Sequence, residues 1–369
     1  MSEVSTSDNT LRSFLRKHAL EIGAGVLALA VILTGRVTLV AARRAIDLDL
    51  LLILFALLIT VEILRASGYL DATVAACVRR FQGERSLSVA LIALSGIMAA
   101  LLTNDVALFV VIPITVIAGR LADLAMENVV VLEIVATNLL GCLTPLGNPQ
   151  NLFLFHRSGW NAAFFMRTML PFVALSAAGM LIATLFTTQA KKLSLVDLPQ
   201  PPRHRLVALA GMGCFALVVL EIAHLLTAWP AAIAAAIAGV YFLRRRLLAI
   251  DLSIVPLFLF AFVLVEGLHS LRIPAVAGHL YASSIVLSQV LSNVPTAILL
   301  SPLAAGRWRE LLYGVNAGGC GTIIASLANL LGWRIYIRES NRDPHFFRTL
   351  SLINVAFLIW IGVGAWFLL

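Results

Sequence analysis

What most constrains this chain is a succession of apolar segments near 19–42, 47–66, 128–148, 163–188, 205–226, 229–243, 251–268, 311–331 and 348–368. At 1.5 Å of rise per residue, about 20 helical residues cross a ~30 Å hydrocarbon layer. Water cannot solvate that much apolar surface. Of the 369 residues 60% are hydrophobic and 12% charged, where a soluble domain carries roughly 25% charge. The expected fold is an all-α, polytopic helical membrane protein forming one integral unit. Glu21 lies inside the first apolar run, and hydrophobicity continues after it, which favours an uncleaved first helix over a signal peptide.

The net charge of +8 would suggest nucleic acid in a soluble protein. In a membrane protein, cations collect in cytoplasmic loops and fix orientation. With the N-terminus in the cytoplasm, nine crossings put most of the 27 basic residues inside, Lys191, Lys192 and Arg244 to Arg246 among them. The expected location is the inner (plasma) membrane, with lipid as partner and no nucleic acid. Cys77, Cys142, Cys214 and Cys320 sit in apolar stretches without paired spacing, so neither a disulfide framework nor a zinc site is expected. Nothing calls for a cofactor beyond a coupling ion, sodium or proton.

Two further apolar segments, 86–119 and 284–305, are interrupted by Thr103-Asn104-Asp105 and by Ser292-Asn293 with Pro295-Thr296. Their arms of roughly 10 to 17 residues are mostly short for a crossing. Both segments read as re-entrant hairpins. The stretches 68–82 and 270–283 mix charged and apolar residues at helical spacing and read as amphipathic interfacial helices.

Self-similarity organises the chain. Ala45-Ile46-Asp47-Leu48 recurs as Ala249-Ile250-Asp251-Leu252 at an offset of 204, which also lays Glu62 on Glu266. An offset of 189 brings Asn104 onto Asn293, Thr103 onto Ser292 and Pro113 onto Pro302. An offset of 178 brings Asn138, Gly141, Cys142, Thr144 and Asn151 onto Asn316, Gly319, Cys320, Thr322 and Asn329. The organisation expected is a tail over 1–18, a first repeat over 19–188, a linker and connecting helix over 189–228, and a second repeat over 229–369. An odd number of crossings before the second copy inverts it, and inverted repeats with a midplane site mark secondary transporters.

An interrupted membrane helix survives only where it lines a cavity or holds an ion. The first half breaks at Thr144-Pro145-Leu146-Gly147-Asn148-Pro149-Gln150-Asn151, where two prolines disrupt the helix. The second breaks at Gly318-Gly319-Cys320-Gly321-Thr322, ahead of Ser326 and Asn329. Asn, Ser, Thr and freed carbonyls offer the oxygens that hard cations prefer, and half-helix N-termini offer N–H groups to anions.

These stretches, with Leu102 to Asp105, Pro113, Ser292 to Thr296 and Asn316 to Asn329, resemble the arsenite-pump and NhaD-type sodium/proton antiporter family. That family lies within the ion transporter group that includes divalent-anion/sodium symporters and citrate carriers. The resemblance covers roughly residues 45–335. It implies that the two tips and two breaks form the substrate and ion sites, and that the protein dimerises through a scaffold region. The Thr-Asn-Asp and Ser-Asn-Val-Pro-Thr tips differ from the Ser-Asn-Thr of the dicarboxylate branch, which argues against a dicarboxylate.

The candidate site is therefore Thr103, Asn104, Asp105, Asn138, Thr144, Gly147, Asn148 and Asn151 from the first half. From the second come Ser292, Asn293, Pro295, Thr296, Asn316, Gly319, Gly321, Thr322, Ser326 and Asn329. Asn104, Asp105 and Asn293 are candidate sodium ligands. Asp105 stands out because a carboxylate within a membrane segment is costly and by default functional. Glu62 and Glu266 read equally as a proton relay or as structural anchors, and Glu133 and Glu221 as structural hydrogen-bonding groups. The expected activity is secondary transport of a small anion or sodium/proton exchange, with arsenite or antimonite efflux as the alternative. A membrane-embedded enzyme is the rival class. The chain has no GxSG or HExxH motif to support it, and no phosphate-binding loop for an ATP motor.

Overall fold

A computed structural model describes residues 19–46, 48–69, 72, 76, 78–193, 202–222, 225–250, 252, 254–268, 279–340 and 345–369. The described residues are helical throughout apart from turns and one isolated bridge. They form two compact units, each drawing on both halves of the sequence: Met1–Ile63 with Ala210–Ile273, and Leu64–Leu209 with Pro274–Leu369.

The first unit holds α1 (Ala19–Leu33), α2 (Leu39–Ala45) and most of α3 (Leu48–Ala66). From the second half of the sequence it takes most of α9 (Arg205–Ile222), then α10 (Ala228–Ala238) and α11 (Ile254–Leu268). Thr38 ends the α1–α2 turn by accepting a bond from the Ala41 amide at 3.2 Å, an N-cap that leaves α2 separate from α1. Ala28, Val37, Ala42 and Val263 make its core, with Phe260 and Leu264 packed against them. Asp47 and Asp251, central to the first repeat match, lie outside the described residues.

In the second unit, α4 (Glu84–Leu102) and α5 (Asn104–Ala122) form the first hairpin, and α12 (Leu280–Leu291) and α13 (Asn293–Leu300) the second. Between and after them come α6 (Glu127–Leu139), α7 (Pro149–Ser158), α8 (Ala162–Thr187), α14 (Trp308–Ala317), α15 (Leu327–Ser340) and α16 (His345–Trp366). The arms of the first hairpin are 19 residues each, longer than their composition suggested. Helix α4 starts early, at Gly83 as N-cap, and α5 runs through Pro113 to a left-handed C-cap at Asp123. Both arms are long and apolar enough to cross a membrane, as are α8 and α16 among the described residues. The second hairpin keeps short arms. Residues 70, 71, 73–75 and 77 of 68–82 and residues 270–278 of 270–283 lie outside the described residues, and 280–283 is the opening turn of α12 rather than a separate interfacial helix.

The runs 128–148 and 311–331 do not continue as single helices. In the first, Thr144 and Asn148 each precede a proline and are held extended, at φ −106°, ψ 157° and φ −160°, ψ 157°. Two short 3₁₀ turns, Gly141–Leu143 and Pro145–Gly147, fill the gap before α7. In the second, helix α14 ends at Ala317, and Gly321 takes φ +108°, where only glycine is unstrained. A Cβ on Gly321 would also stand 2.2 Å from the Gln289 amide oxygen. Proline in one half and glycine in the other thus produce similar breaks by opposite means.

Candidate functional site

Both hairpin tips are one residue wide. Thr103 turns at φ 146°, ψ 156° and Ser292 at φ 73°, ψ 156°, a region nearly reserved for glycine that costs ~1–3 kcal/mol per residue. Thr103 recovers part of this by accepting a bond from the Val106 amide, whereas Ser292 makes no side-chain cap. Ser292→Gly should therefore raise the melting temperature of the purified protein by the equivalent of ~1 kcal/mol. Ser292→Ala, which retains Cβ, should not, and equal melting points for the two would remove the strain argument.

The tips deliver Asn104 and Asn293, 3% and 2% exposed, into the bundle interior. Asn104 Nδ2 donates to Asn138 Oδ1 at 3.2 Å, and the same oxygen accepts from Ser326 Oγ at 2.9 Å. Asn138 Nδ2 donates in turn to Asn329 Oδ1 at 2.9 Å, and Asn329 Nδ2 reaches the carbonyls of Gly319 and Thr322. A matching set surrounds Asn316. Its Nδ2 donates to Asn151 Oδ1 at 2.7 Å, its Oδ1 accepts from Asn148 Nδ2 at 3.1 Å, and Asn151 Nδ2 reaches the Cys142 carbonyl at 3.1 Å.

These bonds obey the sequence offsets. Asn138 to Asn329 and Asn316 to Asn151 are one bond read twice at an offset of 178, and Ser326 stands to Asn138 as Asn148 stands to Asn316. Thr144 Oγ1 donates to the Ala100 carbonyl at 2.5 Å, and Thr322 Oγ1 to the Gln289 carbonyl at 2.9 Å, again at equivalent places. Asn138 and Asn316 each bridge a helix of one half to the helix opening of the other. Polar side chains are costly in an apolar interior unless paired, so the exchange ties the breaks together.

Glycine allows close approach where the two halves' breaks are tightest. A Cβ on Gly147 would stand 1.8 Å from the Gly141 carbonyl oxygen, and one on Gly319 would stand 2.9 Å from Asn293 Nδ2. The backbone amide of Asn293 also donates to the Ala325 carbonyl at 2.8 Å. Thr296 is spent locally, its hydroxyl donating to the Ser292 carbonyl, and Pro295 lies in the first turn of α13. Asp105 is 4% exposed, with its amide held by Asn104 Oδ1 at 2.9 Å. Among the described residues Asp105 Oδ1 has no hydrogen-bond partner, and neither has the buried Gln150 Oε1.

The sequence did not single out Gln150 or Gln289. Gln289 Nε2 donates to the Gly318 and Cys320 carbonyls, and its Oε1 accepts from the Thr322 amide. At the offset of 189 it falls on Ala100, so the offset comparison did not mark it; its polarity within an apolar arm was the available signal. Glu62 and Glu266 fall in the first compact unit and each is engaged by a partner, while every asparagine of the cluster lies in the second. Among the described residues no group of three or more His, Cys, Asp and Glu side chains could hold a metal ion. The cluster's oxygens are instead mainly amide, hydroxyl and carbonyl.

Apolar helices whose interior polar groups gather at helix breaks define a polytopic membrane transporter. The model of the citrate transporter family matches residues 14–311, so the chain belongs to that family. It is 32% identical over 340 residues to the inner membrane protein YbiR of Escherichia coli, covering 88% of each chain. It is 31% identical over 321 residues to a protein of Methanocaldococcus jannaschii named as a transporter, covering 84% of this chain and 86% of that one. The crystal structure of the YdaH transporter of Alcanivorax borkumensis aligns over 85% of both chains at 15% identity and a TM-score of 0.45, too loose a likeness to carry residue assignments. The chain is a membrane transporter.

Proposed function

We propose that the chain is a secondary active carrier that moves a small anion against or with a sodium or proton gradient, and that the asparagine cluster is its transport site. The observation that carries the reading is the exchange of amide bonds between broken helices of the two halves. Such bonds lie where an ion stripped of water needs polar partners, and the helices bearing them are already interrupted, so they can shift without unwinding. The family name supports an organic anion as cargo. Asp105 and Gln150 contribute unpartnered buried oxygens, which suit a coupling cation. The same two oxygens favour, as a second reading, sodium/proton exchange with no anion. The narrower kinship with arsenite and sodium/proton carriers becomes one arm of the test.

The test is uptake into proteoliposomes under an imposed sodium or proton gradient, with citrate, smaller carboxylates, phosphate, sulfate, arsenite and sodium as cargo. One anion should accumulate with the gradient, and Asn104→Ala and Asn293→Ala should each abolish that flux. Asp105→Asn should flatten its dependence on pH or sodium. Accumulation of sodium alone would favour the exchanger, accumulation of arsenite the efflux pump, and full flux in both alanine variants would displace the site.

A further inference from the structure

Glu133 lies in the middle of α6, completely buried, with helices α4, α5, α8, α15 and α16 packed around that element. Helices α4 and α5 each bring a hydroxyl to Glu133. Thr115 of α5 donates a short hydrogen bond to Glu133 Oε1, and the Ser95 hydroxyl of α4 lies beside the same carboxyl group. Both Ser95 and Thr115 are themselves fully buried. Glu133 Oε2 has no hydrogen-bond partner among the described residues. The charged groups on the helices packed against α6, including α14, are Glu84, Arg85, Asp105, Arg120, Arg167, Arg309, Glu310, Arg334, Arg338, Glu339 and Arg348, and among the described residues none forms an ion pair or hydrogen bond with this carboxyl.

An ionised carboxylate without a cation is costly in such surroundings, and a carboxyl that carries a proton is far less so. The Thr115 hydroxyl suits both forms, and the Ser95 hydroxyl suits the acid. Thr115 donates to a carboxylate and can turn to accept from a carboxylic acid. Ser95 spends its own proton on the Leu91 carbonyl at 2.8 Å, which leaves its lone pairs to accept. A hard cation takes about six oxygens, and the pocket supplies one carboxyl and two hydroxyls. The repeat has no second copy, because the position equivalent to Glu133 is the buried Leu311. Five residues separate Glu133 from Asn138, about 7.5 Å along the helix, so a charge appearing here acts directly on the centre of the amide cluster.

We propose that Glu133, held between Thr115 and Ser95, is a proton-binding site that fills and empties during the transport cycle. This rests on the carrier reading for its link to flux, though not for its proton. The O–H bond forms at Oε2 with a proton taken from water and breaks by returning it to water; no other bond changes.

The test is pH-difference infrared spectroscopy of the full chain in liposomes, which needs no transported ion and so separates this proposal from the choice of cargo. The wild type should show a protonated-carboxyl band that fades reversibly as pH rises. Glu133→Gln should lack it, Asp105→Asn should keep it, and Thr115→Val should displace its midpoint. A wild-type spectrum with no band removed by Glu133→Gln would overturn the proposal, as would a band that never titrates or one that sodium removes at constant pH. Should Glu133→Gln fail to fold, Thr115→Val decides: an unmoved midpoint overturns the proposal.

Discussion

Gly147→Ala should leave little folded, monodisperse protein. The added methyl would stand 1.8 Å from the Gly141 carbonyl oxygen and 2.6 Å from its carbon, both of them backbone atoms that no rotamer change can withdraw. Overpacking ordinarily costs ~1–3 kcal/mol, and here relief requires moving the whole 3₁₀ segment. That segment is pinned by the Thr144 bond to Ala100 and the Asn151 bond to Cys142. The expected loss is therefore above ~3 kcal/mol, among the largest that single substitutions cause. Gly213→Ala serves as the control, since nothing lies within 4 Å of its would-be Cβ on helix α9, and it should be neutral or stabilising by ~0.5–1 kcal/mol. Size-exclusion profile and thermal midpoint in detergent check both. A well-behaved Gly147→Ala protein would mean that the two 3₁₀ turns are not packed as described.

The second large effect is expected at Asn138, where one side chain serves three partners. Asn138→Ala removes its bonds to Asn104, Ser326 and Asn329 together. Interhelical polar bonds in membranes average only ~0.6 kcal/mol, so the bonds alone amount to about 2 kcal/mol. Leaving buried partners unsatisfied adds ~1–3 kcal/mol. A total of ~3–5 kcal/mol and loss of flux should follow. Because Asn138 and Asn329 share a bond, the double alanine variant should cost less than the sum of the singles by ~0.5–1 kcal/mol or more. Asn316 and Asn151 should behave the same way. Strict additivity in either pair, measured by thermal denaturation, would deny that these contacts are coupled.

Much of this was legible in the sequence because membrane helices leave few ways to use a polar residue. Asn104, Asn138, Asn151, Asn293, Asn316 and Asn329 were found by repeat spacing alone, and the structure shows four of them exchanging amide bonds at equivalent positions. The breaks after Leu139 and Ala317 followed from two prolines and a run of glycines. Hairpin length was misjudged because composition does not mark where an apolar helix stops: Glu84 to Arg85 and Arg120 to Ala122 continue α4 and α5 past the apolar core. Gln289 escaped because the offset of 189 lays it on alanine. The meeting of Thr115 with Glu133 escaped because a hydroxyl in an apolar helix looks the same whether it serves its own backbone or a neighbour's carboxyl.

The most direct measurement is an experimental structure of the chain with its transported ion bound, the ion being whichever the uptake panel selects. The account predicts density for that ion against the amide groups around Asn138 and Asn316, at the openings of α5, α7, α13 and α15. Density lodged elsewhere, with both amide clusters intact and undisturbed while transport proceeds, would contradict it.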